Sequence, residues 1–154
     1  MPIITGGITL PPGEVVVEEM TFTEVGGALT YTGTVLVPVG ATVLDVIVRN
    51  TVVWTNGTSA SLTVGDDDDA DGYITATDVK AAPAADTNGA AAGYSTRLSL
   101  GAGAGAYKGG GGKYCAAAKT ITATITTGAG AQTAGRTRVL VEYAIPSTRA
   151  ATSA

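Results

Sequence analysis

The sequence predicts an all-β chain, a single-domain β-sandwich or jelly roll of about eight short strands with long Gly/Ala-rich loops, on three observations. Val, Ile, Leu and Thr recur in short runs bounded by Gly, Pro, Asn or Asp, the pattern of strands between turns. No long stretch repeats apolar residues at helical spacing. Glycine is abundant, at 22 of 154 residues, and only 14% of residues are charged. A closed barrel is the second choice of architecture. A chain of this length suits one domain, able to bury roughly 70% of the surface its unfolded form exposes. The expected boundaries are an N-terminal arm over residues 1–13, a β domain over 14–145 and a flexible tail over 146–154.

The first strand-like run is 14–24 (EVVVEEMTFTE), with acidic residues expected outward. In 30–37 (TYTGTVLV), Tyr31, Gly33, Val35 and Val37 alternate with Thr32, Thr34 and Leu36, the period of a half-buried strand. Residues 42–49 (TVLDVIVR) place Leu44, Val46 and Val48 on one face and Val43, Asp45, Ile47 and Arg49 on the other. A strand apolar on both faces is expected to be covered on both. Asn50 reads as a break, after which Val52, Val53 and Trp54 resume before an Asn56-Gly57 turn. Residues 59–64 (SASLTV) lead straight into an acidic loop. Residues 81–93 read as an Ala-rich irregular segment, 95–100 (STRLSL) as a strand, and 101–112 (GAGAGAYKGGGG) as a mobile loop. Two strands end the domain, 120–126 with Ile121, Ala123 and Ile125 facing one side, and 137–143 with Thr137, Val139, Val141 and Tyr143 inward.

Composition removes several function classes. With 13 acids against 9 bases and a net charge of −4, the chain lacks the clustered Lys and Arg that phosphate neutralisation needs, so no nucleic-acid partner is expected. Lys108, Lys113 and Lys119 are too spaced in sequence for a patch. No basic segment followed by an apolar run opens the chain, so neither a signal nor a membrane partner is expected. The absence of histidine removes His-dependent triads and most zinc sites. Cys115, the single cysteine, cannot form an intramolecular bridge and reads as an inert, buried thiol. Glu18 and Glu142 can be imagined as a glycosidase pair, although single acids on strands are usually solvated. Trp54 and the tyrosines suit core packing better than a sugar-stacking platform, and Tyr107 with Lys108 could be presented at a loop tip.

The acidic run 65–78 (GDDDDADGYITATD) is where residue identity and spacing converge on a chemistry. Asp66 to Asp69 and Asp71 repel one another and call for a counter-charge or open water. From Asp67 the order is Asp, any, Asp, any, Asp, Gly, the spacing of an oxygen cage for a hard cation. Asp67, Asp69 and Asp71 would offer side-chain oxygens, Tyr73 its carbonyl, and Asp78 the closing carboxylate at the twelfth position, with calcium as the candidate cofactor. The segment resembles calcium loops of the EF-hand and dockerin type, and DADGYITATDVKAA is similar to a dockerin half-repeat. No entering helix precedes it and only one copy exists, so dockerin function is not implied. The alternative is a solvated hairpin tip whose charges block edge-to-edge association.

Two longer stretches, TYTGTVLVPVGATVLDVIVRNTVVWTNGTSASLTVGDDDDADGYITATD and KTITATITTGAGAQTAGRTRVLVEYA, resemble small structural proteins of tailed bacteriophages. The resemblance covers about two thirds of the chain and is compositional rather than a catalytic signature. It implies a non-enzymatic virion component, a capsid decoration or cement protein on the outer capsid surface, made in the host cytoplasm. Its implied partners are the major capsid protein and copies of itself, as a homotrimer. A receptor- or glycan-binding module of a fibre or spike is the alternative.

Overall fold

Runs of β-branched residues separated by Gly, Pro and Asp form strands because branched side chains pack well on a pleated surface while the separators favour turns. The computed structural model describes residues 3–5, 8–10, 13–26, 28–55, 58–80, 95–97, 106–107, 112–128 and 134–147. The expectations for 81–93, 98–100, 148–154 and most of 101–112 lie outside the described residues. Eleven strands are present among those described: β1 (Ile3–Thr5), β2 (Ile8–Leu10), β3 (Val15–Thr23), β4 (Thr30–Val37), β5 (Thr42–Val52), β6 (Ala60–Gly65), β7 (Ile74–Asp78), β8 (Ser95–Arg97), β9 (Lys113–Tyr114), β10 (Lys119–Thr127) and β11 (Arg136–Ala144). No helix occurs among the described residues.

One sheet has the order β4-β10-β6-β7 and the other β3-β11-β5-β8, with β9 also on β5. Every pairing is antiparallel. Leaving aside the small β1–β2 ladder and β9, the strands nest from outside in. β3 pairs with β11, β4 with β10, β5 with β8 and β6 with β7. A long antiparallel ribbon folded in this way over two sheets is a jelly roll, and the closed barrel is not formed.

Strand parity holds wherever a ladder is regular. Val35 and Val37, Ile121, Ala123 and Ile125, and Thr137, Val139, Val141 and Tyr143 all point into one core shared by the two sheets. The outward side of the first sheet is almost free of charge. Thr34, Thr32 and Thr30 of β4 stand opposite Thr122, Thr124 and Thr126 of β10, and Thr124 and Thr126 stand opposite Thr63 and Ser61 of β6. Paired hydroxyls hydrate this face and can bond across strands.

Three expectations need correction. β5 does not keep one alternation, because its register against β11 shifts between Glu142 and Tyr143. The resulting bulge leaves Leu44 exposed while Val43, Asp45 and Val46 are all buried; an inserted residue reverses the facing of everything before it. Asn50 does not break the strand, which runs on to Val52. The third concerns β3, where Glu19 is outward as expected but Val15 and Val17 are exposed as well, at 54% and 56%, and Glu18 lies on the inward side, accepting a 2.6 Å hydrogen bond from the Tyr143 hydroxyl.

Asn50 is tolerated inside the core because a closed polar chain uses its amide. The Trp54 indole N–H donates to Thr137 Oγ1 at 2.8 Å, that hydroxyl donates to Asn50 Oδ1 at 2.5 Å, and Asn50 Nδ2 donates to the Val79 carbonyl at 2.9 Å. Trp54, Asn50 and Thr137 are each completely buried, where an unpaired polar group is costly. Thr137→Val conserves shape but orphans the Trp54 N–H and the Asn50 carbonyl. Urea titration should show a loss of stability, about 1–3 kcal/mol for each orphaned group, with an unchanged m-value.

Candidate functional site

The loop between β6 and β7 is folded around Asp66, whose side chain is fully enclosed. Its turn begins at Gly65, where an added Cβ would lie 2.0 Å from the Ala70 backbone. The Asp66 N–H donates to the Asp69 carbonyl at 2.8 Å, and the Tyr73 N–H returns to the Val64 carbonyl at 3.0 Å. The hairpin is thereby closed on itself, with the remaining aspartates on its rim.

Five donors converge on the Asp66 carboxylate. Oδ1 accepts from the Asp68 N–H at 3.0 Å, the Asp69 N–H at 3.3 Å and the Tyr107 hydroxyl at 3.0 Å. Oδ2 accepts from the Tyr73 hydroxyl at 3.1 Å and the Lys113 ammonium at 2.5 Å. Lys113 also reaches Asp68 at 3.3 Å and lies 3.7 Å from the centre of the Tyr107 ring, a cation–π contact. Lys119 holds the other Asp68 oxygen at 2.6 Å. Tyr73 and Tyr107 meet edge to face at 4.9 Å, and the Tyr107 ring lies over Gly72, where any Cβ would come within 2.3 Å of it. Lys113 belongs to β9 on the β5 sheet, whereas Asp66 follows β6 of the other sheet. The ion pair is therefore a clasp between the two layers.

Burial by itself would raise the Asp66 carboxyl, but the Lys113 ammonium, the Asp68 N–H and the Tyr107 hydroxyl outweigh it and hold the group below the usual carboxylate range. For Lys113 burial acts the opposite way, and its carboxylate and tyrosine partners more than reverse it, so the ammonium is held above the ordinary lysine value. Desolvation, with Asp66 alongside, pushes the Tyr73 hydroxyl well up. Both shifts favour the charged forms, so Asp66 and Lys113 are held as an ion pair at neutral pH.

Of the five residues of the calcium spacing, Asp69 and Asp71 stand together and the other three take separate partners. Asp67 Oδ2 accepts from the Thr120 N–H at 3.1 Å, Asp69 Oδ1 from the Asp71 N–H at 3.3 Å, and Asp78 Oδ1 from the Lys80 N–H at 2.7 Å. Asp71 stands against Asp69, which raises its pKa, and the Tyr73 side chain turns inward to Asp66. Among the described residues no group of three or more acids or cysteines is arranged to hold a metal ion. The spacing frame starts one residue after the acid that organises the loop. Lys113 and Lys119, too far apart in sequence to suggest a patch, meet on Asp68.

The remaining candidates also take definite places. Trp54 lies in the core and meets Tyr31 edge to face at 4.9 Å, so it presents no stacking platform. Tyr107 is a strut of the acidic loop, and Lys108 lies outside the described residues. Cys115 is buried, and desolvation raises its thiol pKa. Glu18 stands opposite Val141 and Glu142 opposite Val17, so the two acids point to opposite faces of the sheet and form no catalytic pair.

Fold and site define a β-sandwich protein of jelly-roll order whose acidic loop is partly neutralised by Lys113 and Lys119. Among solved structures, the chain is similar to one described as "Cyanophage Pam1 capsid asymmetric unit", with 24% identity over 88% of this chain and 87% of that one and a TM-score of 0.61. That likeness is one of fold. No family model matches the chain, and no curated protein matches it.

Removing one partner of a buried ion pair strands the other, so Asp66→Ala should cost about 3–5 kcal/mol in chemical denaturation at neutral pH. The pH dependence follows from the direction of the shift. A carboxyl lowered in the folded state contributes stability above its ordinary value of about 3.9, and loses that contribution as pH falls through the lower folded value. Stability measured from neutral pH down to acid should fall for the natural chain, and more shallowly for Asp66→Asn. Identical acid limbs would show that Asp66 is not the group responsible.

Proposed function

We propose that the chain is a non-enzymatic structural protein of a phage virion, a capsid decoration or cement protein. It binds the outer surface of a shell of major capsid protein, joins copies of itself as a homotrimer, and strengthens the shell by adding buried contact area. The observation that carries this reading is the fold-level likeness to a chain of a phage capsid asymmetric unit over nearly the full length of both chains. Its support within the molecule is a rigid sandwich whose polar groups are spent on internal bonding and whose surface exposes Val15, Val17, Val39, Leu36 and Tyr114. Contact surfaces of assembling proteins combine such apolar residues with a polar rim. The fibre or spike module loses support because Trp54 and Tyr107, the aromatics it would use, are committed to the core and to the acidic loop.

The test adds the purified chain to emptied phage shells assembled from the major capsid protein of the same genome. Co-sedimentation that saturates, together with a higher melting temperature of the loaded shell, is the expected result. Light scattering on the free protein should give three times the 15.2 kDa of the chain. Shells that neither bind the protein nor gain stability would remove the decoration reading.

A further inference from the structure

The two ends of β5 carry charge of opposite sign that the fold does not cancel. Its first residues pair with β9, Thr42 with Tyr114 and Val43 with Lys113, and Lys113 draws the acidic loop onto this end. The two lysines there are spent on Asp66 and Asp68. Asp67, Asp69 and Asp71 meet neutral N–H donors or one another, and no cation among the described residues. A hydrogen bond from a neutral N–H orients a carboxylate without cancelling its charge. At the far end, about 30 Å along the strand, Arg49 stands opposite Arg138 of β11, and Arg136 lies two residues from Arg138 on the same side of β11. Glu19 engages Arg138, whereas the side chains of the exposed Arg49 and Arg136 take no hydrogen bond or ion pair among the described residues.

A second pair of features is divided between the same two ends. Tyr114, next to Lys113 in β9, is 65% exposed. Beside Arg136 an open recess of about 340 Å³ is lined by Thr23, Glu24, Val52, Ala134 and Gly135, where Val52 and Ala134 suit an aromatic ring. We propose that copies of the chain join head to tail, the end bearing Tyr114 and the acidic rim of one copy docking on the arginine end of the next. Asp67, Asp69 and Asp71 then face Arg49 and Arg136, and the Tyr114 ring enters the recess.

This inference deepens the homotrimer reading and rests on it. Each copy gives one end and receives the other, which makes the contact heterologous, and heterologous contacts build closed rings when their rotation closes. The acidic rim caps the tip of the β6–β7 hairpin, whereas Arg49 and Arg136 lie on the outward side of a sheet. A tip seated on a side turns the strand direction at every contact, as a ring of three requires and a straight fibre does not. Like ends repel, so the charges also disfavour pairing of either end with itself. An exposed aromatic with a recess to fill supplies the apolar anchor that surface charges alone lack.

Light scattering and sedimentation of the purified full chain, without shells, over a concentration series at low and high salt test the proposal. The natural chain should be trimeric at low salt and dissociate more readily as salt rises. Asp71→Arg and Arg136→Glu, both at exposed positions, should each weaken association by about tenfold or more. A chain carrying both changes should recover it, because each reversed end then meets a reversed partner. Tyr114→Ala should weaken association at high salt as well as at low. A natural trimer that the single reversals leave intact, or that the double reversal fails to restore, would overturn this contact and leave the homotrimer standing. A natural chain that stays monomeric would remove the homotrimer and this contact together. Association that follows the expected pattern in a chain that shells do not bind would refute the decoration reading and support this contact.

Discussion

The structure around the acidic loop depends on one constraint: a carboxylate taken out of water must be bonded on every side. Asp66 has lost its solvent, and an ionised carboxylate in that state persists only where donors replace the water it gave up. Supplying them sets the shape of the loop. Two donors are backbone N–H groups of the same turn, which fixes the tight bend after Gly65, and two are tyrosine hydroxyls, which orient the rings of Tyr73 and Tyr107. The last is an ammonium from the opposite sheet, so meeting the needs of one side chain also ties the two layers together at this end of the sandwich. Lys119 and the Thr120 N–H then draw Asp68 and Asp67 onto β10. The run that looks like a pool of repelling charge is mostly consumed as internal fastening.

This arrangement explains what was legible in the sequence and what was not. A period of two survives wherever a ladder is regular, so the inward residues of β4, β10 and β11 can be read directly from alternation. The bulge in β5 cannot, because a one-residue register shift belongs to the pairing with β11 and leaves no local mark at Leu44 or Asp45. Asn50 misleads for a similar reason. Its type signals a turn, while the groups that satisfy it, Thr137 and Val79, are remote in sequence. The same distance hid the loop's organiser. The spacing rule begins at Asp67, and nothing local distinguishes Asp66 from its neighbours until Tyr107 and Lys113 are brought to it.

The nested topology accounts for that remoteness. When the first long strand pairs with the last and each inner pair closes within it, almost every stabilising contact joins segments far apart in the chain. Such contacts return free energy only after large loops have closed, which makes folding of this kind slow and its intermediates prone to edge pairing. The strands left at sheet edges, β3 and β4 on one side and β7 and β8 on the other, are where that hazard lies. Acidic residues crowd the turn that feeds β7, a usual protection for an edge. β3 begins instead with Val15, Val16 and Val17 and has little protection of that kind.

The two outward faces divide the remaining work unequally. The β4–β10–β6 face is covered by threonines and a serine set opposite one another, which hydrate it without charge and give no cross-strand row any sign to repel. The β3–β11–β5 face carries arginines, acids and exposed valines in fixed rows. A chain with only 14% charged residues that gathers several of them on one face, with like signs opposed in register, accepts a cost in the isolated fold. A sheet meant only to be wetted could avoid that cost by using threonine there, as the opposite face does. The contrast between the two faces is thus one of chemistry, hydroxyl rows that carry no sign on one side and rows of fixed sign on the other, set by the register of the strands that bear them.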